Sequence, residues 1–470
     1  MRLAWFSPWP PQHSGVAGRS AELVPLLAAR GHAIDVFVDA SLVRTRPASS
    51  EPPVSGDVRV ITAHDFVWRQ ARGHYDLPVY QIGNSHLHRY IWPYLFQFPG
   101  LAVLHEGRLH HARAEALLSR GRDADYRAEF AWNHPGTGSD AGAELAILGF
   151  DGGFYYQWPM VRTVVATARL TAAHSRGVAA QLAQAWPDRP VTHIALGEGP
   201  GRFDIAAARH QFRANHRIEP DAIVFGVHGT LTEEKRIHEI LKAFAATLAW
   251  LPNARLLLVG ADDPMVGLRA RLAALELNAA VTHVASPDDE EFDQSIAASD
   301  VTINLRWPSA HETSGPWIRS LALGRATIII DADHQSHVPA LNPLSWQRLQ
   351  PSEDLQPGAA DRAVAVALNV LNLNHELRAA MRRLGADAGL RDALGRQARL
   401  WWEQEHTVER MTLDYERAFT QALAAPLPDV SVPPHMRPDP WVSTGDVLRS
   451  AEWGESILRS AWARPRPEVP

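Results

Sequence analysis

Apolar residues in this chain come in short unbroken runs. Each run leads into a loop, and then into a stretch whose apolar positions lie three and four apart. LAWF (3–6) opens the series and is followed by the Pro- and Gly-rich loop SPWPPQHSGVAG. AELVPLLAARGH then has helical spacing, with Gly31 as its stop. IDVFV (34–38), VRVIT (58–62), VYQI (79–82) and LAVL (101–104) read as further strands. Unbroken apolar strands alternating with helices predict a parallel sheet covered on both faces. The same grammar restarts at AIVFGVHG (222–229). EKRIHEILKAFAATLAWLP reads as one long helix with Ile237, Ile240, Leu241, Phe244 and Leu248 on one face. ARLLLVG (254–260), VTHVA (281–285), DVTINL (300–305) and ATIII (326–330) continue a second sheet. The fold class expected is α/β, with two Rossmann-like doubly wound domains.

The Gly-rich stretch IALGEGPGRF (194–203) lies between the halves and reads as a hinge. The expected division is an N-terminal domain over 1–197 and a C-terminal domain over 198–400. A helix over 401–425 is expected to pack back on the domains. Residues 360–425 as a whole, DRAVAVALNVLNL included, read as helices. From 426 to 470 proline dominates, predicting an extended tail with room for one short helix at TGDVLRSAEW.

Composition narrows the classes. A chain of 470 residues is too long for one core, consistent with two domains. A net charge of −6 gives no sign of a nucleic-acid partner. The absence of cysteine excludes disulfides and thiolate metal sites. The start, MRLAWFSPWPP, lacks the apolar core of a signal peptide, and no apolar run approaches the ~20 residues of a membrane span. A cytoplasmic protein is expected, with peripheral contact at the inner membrane face left open. Of 46 basic residues only Lys235 and Lys242 are lysine. Lysine is a compact point charge, whereas arginine is a planar fork.

Ligands of open α/β sheets bind at the carboxyl ends of the strands, so the loops there carry the candidate chemistry. Gly15 follows the first strand, where a backbone amide can approach a phosphate closely. In GVHGTLTEEK (226–235), Gly229 opens the loop and Lys235 stands near a helix start, where an anion meets dipole and charge together. Lys242, two turns on, reads as solvated. In RWPSAHETSGPWIRSLALGRATIII (306–330), Glu312 precedes Thr313, Ser314 and Gly315, with Pro316 suited to a first helical turn. That carboxylate could accept sugar hydroxyls, or simply be an N-terminal helix charge.

Other patterns read as incidental. His86, His88, His105, His110 and His111 lack the His-Glu-x-x-His spacing of a metal pair. The two Asp-Ala-Asp triplets (123–125 and 331–333) are short enough to arise by chance. No GxGxxG follows the first strand of either half, which argues against an NAD enzyme. The Arg-, His- and aromatic-rich stretch 107–134 could touch an anionic membrane or a lipid-linked acceptor, although its acidic residues weaken that reading.

Three of these stretches, in this order, resemble retaining glycosyltransferases of the GT-B fold, in glycosyltransferase family 4 or its relatives. They are SPWPPQHSGVAGRSAELVPLLAARGHAIDVF, HGTLTEEKRIHEILKAFAATLAWLPNARLLLVG and PSAHETSGPWIRSLALGRATIII, and the resemblance covers residues 1 to about 420. It implies two domains facing across a cleft, and transfer of a sugar from a nucleotide-sugar donor to a hydroxyl acceptor that is a glycan, lipid-linked or small. No metal or other cofactor is implied. Gly15 would approach the donor diphosphate and Lys235 would neutralise it. Glu312 would hold hydroxyls of the sugar, and the amides of Thr313, Ser314 and Gly315 would contact sugar or phosphate. His105 falls where relatives carry a histidine near the reacting sugar. Two departures stand out. Ser320 occupies the place of the second glutamate, which in relatives holds the ribose. Thr230 stands where an arginine usually follows the loop Gly229, and Arg236 replaces the usual glycine after the lysine. Arg236 or Arg319 could supply the missing charge. The departures keep two alternatives open: a non-catalytic GT-B protein that binds a nucleotide, glycan or partner subunit, and a sugar-nucleotide epimerase.

Overall fold

The computed structural model describes residues 1–12, 14–44, 58–136, 138–150, 153–199, 203–349 and 363–437. The chain forms two compact units. The first comprises Met1–Ala173, Gln181–Thr192 and the chain from Tyr415 onward, and the second His174–Ala180 and His193–Asp414. Part of the proposed hinge, most of the 426–470 tail and the TGDVLRSAEW segment lie outside the described residues.

The first unit is built on a seven-stranded sheet of order β3-β2-β1-β4-β5-β6-β7. Its strands are β1 (Arg2–Phe6), β2 (Ala33–Val38), β3 (Val58–Thr62), β4 (Leu77–Ile82), β5 (Leu101–Leu104), β6 (Leu170–Ala173) and β7 (Val191–His193). β1 pairs in parallel with β2 and β4, and β4 with β5. β4 and β5 are buried along their whole length, which is why they carry no alternating polar face. Ser14 caps the helix Gly15–Ala29 by accepting from Ala17 N at 3.0 Å. A layer of helices that includes His110–Leu118 and Asp123–Asn133 buries Tyr126 and Phe130.

The second unit carries a seven-stranded sheet of order β10-β9-β8-β11-β12-β14-β13. The strands are β8 (Ile223–His228), β9 (Ala254–Val259), β10 (Val281–Val284), β11 (Val301–Asn304), β12 (Ala326–Ile330), β13 (Ala340–Leu341) and β14 (Ala365–Leu368). Neighbouring strands pair in parallel. In both sheets the chain order reverses at one place, β1 beside β4 and β8 beside β11, and ligands of such sheets lie at that switch point.

Two expectations from the sequence are corrected. Residues 365–368 form the buried strand β14 beside β12 and β13, where a helix was expected. An apolar run this short does not reveal its period, and the open flank of β12 takes it as a strand. The expected single helix from Glu234 is also broken. Glu233–Lys235 form a 3-10 turn, Arg236 takes a left-handed conformation (φ 59°), and only then does the helix Ile237–Leu248 begin. Ile237, Ile240, Leu241 and Phe244 are buried along it, each worth about 1.5–3 kcal/mol of transfer from water. Helices Leu373–Ala386, Ala388–Glu405 and Val408–Ala424 close the described chain, followed by the short turn Pro434–Met436.

Candidate functional site

The loops at the carboxyl ends of β8, β11 and β12 border a solvent-open hollow in the second unit, lined among others by His228, Lys235, Arg306, Glu312, Ser314 and His334. β8 ends at His228, and Gly229 turns the chain sharply with φ 85°. A side chain at Gly229 would be strained, and its Cβ would lie 2.9 Å from Lys235 Nζ. Gly260, at the end of β9, packs equally close: a Cβ there would meet the Gly229 carbonyl at 2.6 Å. These glycines let the loop fold back so that the 3-10 turn places Lys235 under the strand end.

Lys235 is 8% exposed, and Nζ donates to His228 O at 2.5 Å. Burial pushes the Lys235 ammonium well below the usual lysine value, and the Arg306 charge pushes the same way. Burial and the Lys235 charge hold the His228 imidazole down at about 3. A buried cation next to a second cation is unfavourable unless an anion completes the site.

Glu312 stands opposite. It pairs with Arg306, and its Oε2 accepts from Ser309 Oγ at 3.1 Å. The chain turns through His311 with φ 61°, and the His311 ring stacks on His334 at 4.7 Å between centroids. Ser314 then caps the helix Gly315–Ala322 by accepting from Trp317 N. With Pro316 in the first turn, the free amides at this helix start belong to its opening residues, and the dipole there favours an anion.

Of the residues singled out in sequence, Lys235, Glu312 and Ser314 line this hollow, and Gly229 and Gly315 adjoin them. Thr313 lines a neighbouring cavity that shares His334 and Gln335 with it. Thr230 is exposed. Ser320 is fully buried and donates to Pro316 O at 2.8 Å, within its own helix. Arg236 pairs with Glu239, and Arg319 with Glu198 and Asp293, each at 3.0 Å. The sequence reading passed over Arg306, the cation beside Lys235. Its signal was position: it is the second residue after β11, at a strand end by the switch point.

Gly15 and His105 belong to the first unit. Gly15 is exposed at the start of its helix, and a Cβ there would meet nothing within 4 Å. His105 directly follows β5 and is 8% exposed. Its Nε2 lies 2.8 Å from Gln81 Oε1, which also accepts from Tyr415 OH at 3.2 Å. Among the described residues no group of three or more His, Asp or Glu has the arrangement of a metal site. No helix of the described chain is long and apolar enough to cross a membrane.

No protein-family profile matches the chain, and neither does any curated protein sequence. Solved structures do match. The sucrose-phosphate synthase of Thermosynechococcus elongatus aligns with a TM-score of 0.59 at 18% identity, covering 90% of this chain and 99% of that one. WaaG, a glycosyltransferase involved in lipopolysaccharide biosynthesis, aligns at 0.57 and 14% identity, over 88% of this chain and 98% of its own. Anabaena HepE, solved in complex with UDP and glucose, aligns at 0.55 and 14% identity, over 89% and 99%. The two parallel seven-stranded sheets and the closing helices thus make up the GT-B fold shared with these glycosyltransferases.

Proposed function

We propose that this protein is a glycosyltransferase that takes a sugar from a nucleotide-sugar donor and passes it to a hydroxyl acceptor. The observation that carries the reading is the buried Lys235, held beside Arg306 and Glu312 at the β8–β11 switch point. In the reaction, the bond between the anomeric carbon and the donor's phosphate oxygen breaks. A bond forms from that carbon to the acceptor oxygen, and the acceptor's proton leaves toward the departing phosphate. Negative charge develops on the diphosphate, and Lys235, Arg306 and the amides at the Gly315–Ala322 helix start meet it. Glu312, steadied by Ser309, accepts hydroxyls of the sugar. Roles for Gly15 and His105, which belong to the first unit, come from the resemblance of the motifs alone. These cations and amides take the part a metal plays elsewhere. Retention of configuration and family 4 membership follow from the resemblance of the motifs. HepE's complexes with UDP and UDP-glucose support a uridine donor as the first to try.

A second reading has an observation of its own. Ser320 is bonded within its own helix and Arg236, just before the next one, is paired with Glu239, so neither stands ready to grip a ribose or a phosphate. A protein that keeps the fold and binds nucleotide without turnover would look the same there.

The test is release of nucleoside diphosphate from a panel of nucleotide sugars with candidate acceptors. Lys235→Ala and Glu312→Ala should each lower the rate by about 10²–10³-fold, the usual loss of a charge-stabilising group. Full turnover in both variants contradicts the residue roles. Nucleotide binding without any release, whatever the acceptor, favours the second reading.

A further inference from the structure

The first unit holds a solvent-open cavity that the donor chemistry does not use. Five arginines line it: Arg89, Arg113, Arg120, Arg122 and Arg437. Among the described residues that line it, none is acidic. Its floor is apolar and includes Trp92 and Phe96.

The arginines arrive from separate elements. Arg89 lies in the 3-10 turn His86–Ile91, and Arg113 on the helix His110–Leu118. Arg120 and Arg122 occupy the turn that follows that helix, and Arg437 follows the turn Pro434–Met436 near the end of the described chain. Arg113 is the fixed member, 3% exposed. Its Nε and Nη2 each donate to the Glu129 carboxylate at 2.6 Å, and its guanidinium lies 4.5 Å from the centre of the Trp92 ring. Burial works to raise the Glu129 carboxyl, but Arg113 and His435 overcome it and hold the group down at about 2. That pair is therefore charged and rigid. Arg122 has its own partner in Asp125. Arg89 has no ion pair among the described residues.

Trp92 supplies an independent sign. It is 1% exposed, and its indole Nε1 has no hydrogen-bond partner among the described residues. An acceptor bound in the hollow that Trp92 lines could complete it. Glu129 and Asp125 offset Arg113 and Arg122, while Arg89, with no ion pair among the described residues, adds a charge at the hollow that an anion would offset. The guanidinium fork suits phosphate oxygens, two bonds at a time. The apolar floor suits the organic part of a phosphate ester.

We infer that this cavity is a second anion site, which binds the phosphate group of an organic phosphate or diphosphate. The group could arrive on a soluble ester or on a lipid headgroup, and the chemistry of recognition is the same. The inference does not rest on the donor reading, because no residue of the donor hollow lines this cavity.

The test uses the full-length chain carrying Lys235→Ala, to silence the donor hollow, with wild type in parallel. Titration calorimetry with inorganic pyrophosphate forms one arm. The other is co-sedimentation with vesicles of phosphatidylcholine and phosphatidylglycerol at 7:3, against phosphatidylcholine alone. Arg89→Gln with Arg120→Gln removes two exposed charges from the rim, and Arg127→Gln removes an exposed arginine paired elsewhere, with Glu144. Saturable binding in either arm, weakened at least ~tenfold by the rim variant and unchanged by Arg127→Gln, supports the site. Binding in the pyrophosphate arm shows that a soluble phosphate group suffices without a lipid. Binding in the vesicle arm alone identifies the headgroup. No binding in either arm, or binding that responds equally to both variants, overturns it.

Discussion

At the scale of single residues, Lys235 explains its own rarity. In a chain whose other cations, Lys242 apart, are arginines, the buried position under β8 admits one thin ammonium hydrogen-bonded to His228 O. An arginine fork would bring five donors into a space that offers one carbonyl. Lys242 is exposed on the outer face of its helix, as a solvated charge should be. Because burial and Arg306 depress the Lys235 value, the free protein sheds that proton more readily than an exposed lysine. A bound diphosphate would raise the value again. Binding should therefore be coupled to proton uptake at pH values between the depressed value and 10.5. Calorimetry in buffers of different ionisation enthalpy reads this directly. Uptake that persists in Lys235→Met would place the proton elsewhere. Gly229→Ala should cost about 1–3 kcal/mol from its φ of 85° and press on Lys235, lowering both stability and donor binding. An unchanged melting curve would contradict the close approach. Lys235 and Glu312 were legible in the sequence because their loops follow strands. Arg306 carries the same positional signal, whereas what identifies His334 is its packing against a loop far from it in the chain, with its ring stacked on His311.

At the scale of elements, the helix Gly315–Ala322 is anchored away from its start. Arg319 joins the largely buried Glu198 and Asp293, whose two charges raise its value further against the pull of burial. Removing the arginine strands two carboxylates, so Arg319→Met should lower stability by about 3–5 kcal/mol. The check is chemical denaturation, and a loss within ~0.5 kcal/mol would show that the pair is not coupled. This commitment also explains why Arg319 cannot replace the arginine missing at Thr230, as the sequence allowed. The misread strand β14 belongs to this scale as well. AVAL is four apolar residues with no polar marker, and only the open flank of β12 decides its state. Arg236, by contrast, breaks the expected helix through a left-handed backbone that nothing in its local spacing announces.

At the scale of the whole molecule, the buried and half-buried histidines set the acid limit. Burial is the largest cause holding His228, His337 and His110 at about 3, and His88, His193 and His406 at about 4. Their ordinary value is 6.5, so between roughly pH 4 and 6.5 the unfolded chain binds more protons than the folded one. Stability should fall as pH drops through that window and stay level for these groups above about 7. Each pH unit across it is worth about 1.4 kcal/mol per histidine, so the apparent melting midpoint should fall by more than ~5 °C from pH 7 to 5. A flat profile would mean that these rings reach water.

The alternation of strands and helices made the two-sheet architecture legible from ten of its fourteen strands, and the fold shared with the matching solved structures agrees with it. The anion cavity of the first unit was not legible as a site. Its arginines come from three stretches, and Arg437 lies about 300 residues along the chain from the other two.

The most direct measurement is thermal stability with uridine, guanosine, adenosine and thymidine diphosphates, with Lys235→Ala as control. A ligand at ~100 times its dissociation constant stabilises by about 2.7 kcal/mol, a rise of roughly 5–10 °C for a unit of this size. The account predicts that one base raises the midpoint in the wild type and that Lys235→Ala abolishes the rise. No rise with any base, or the same rise in the variant, would contradict a donor site at Lys235.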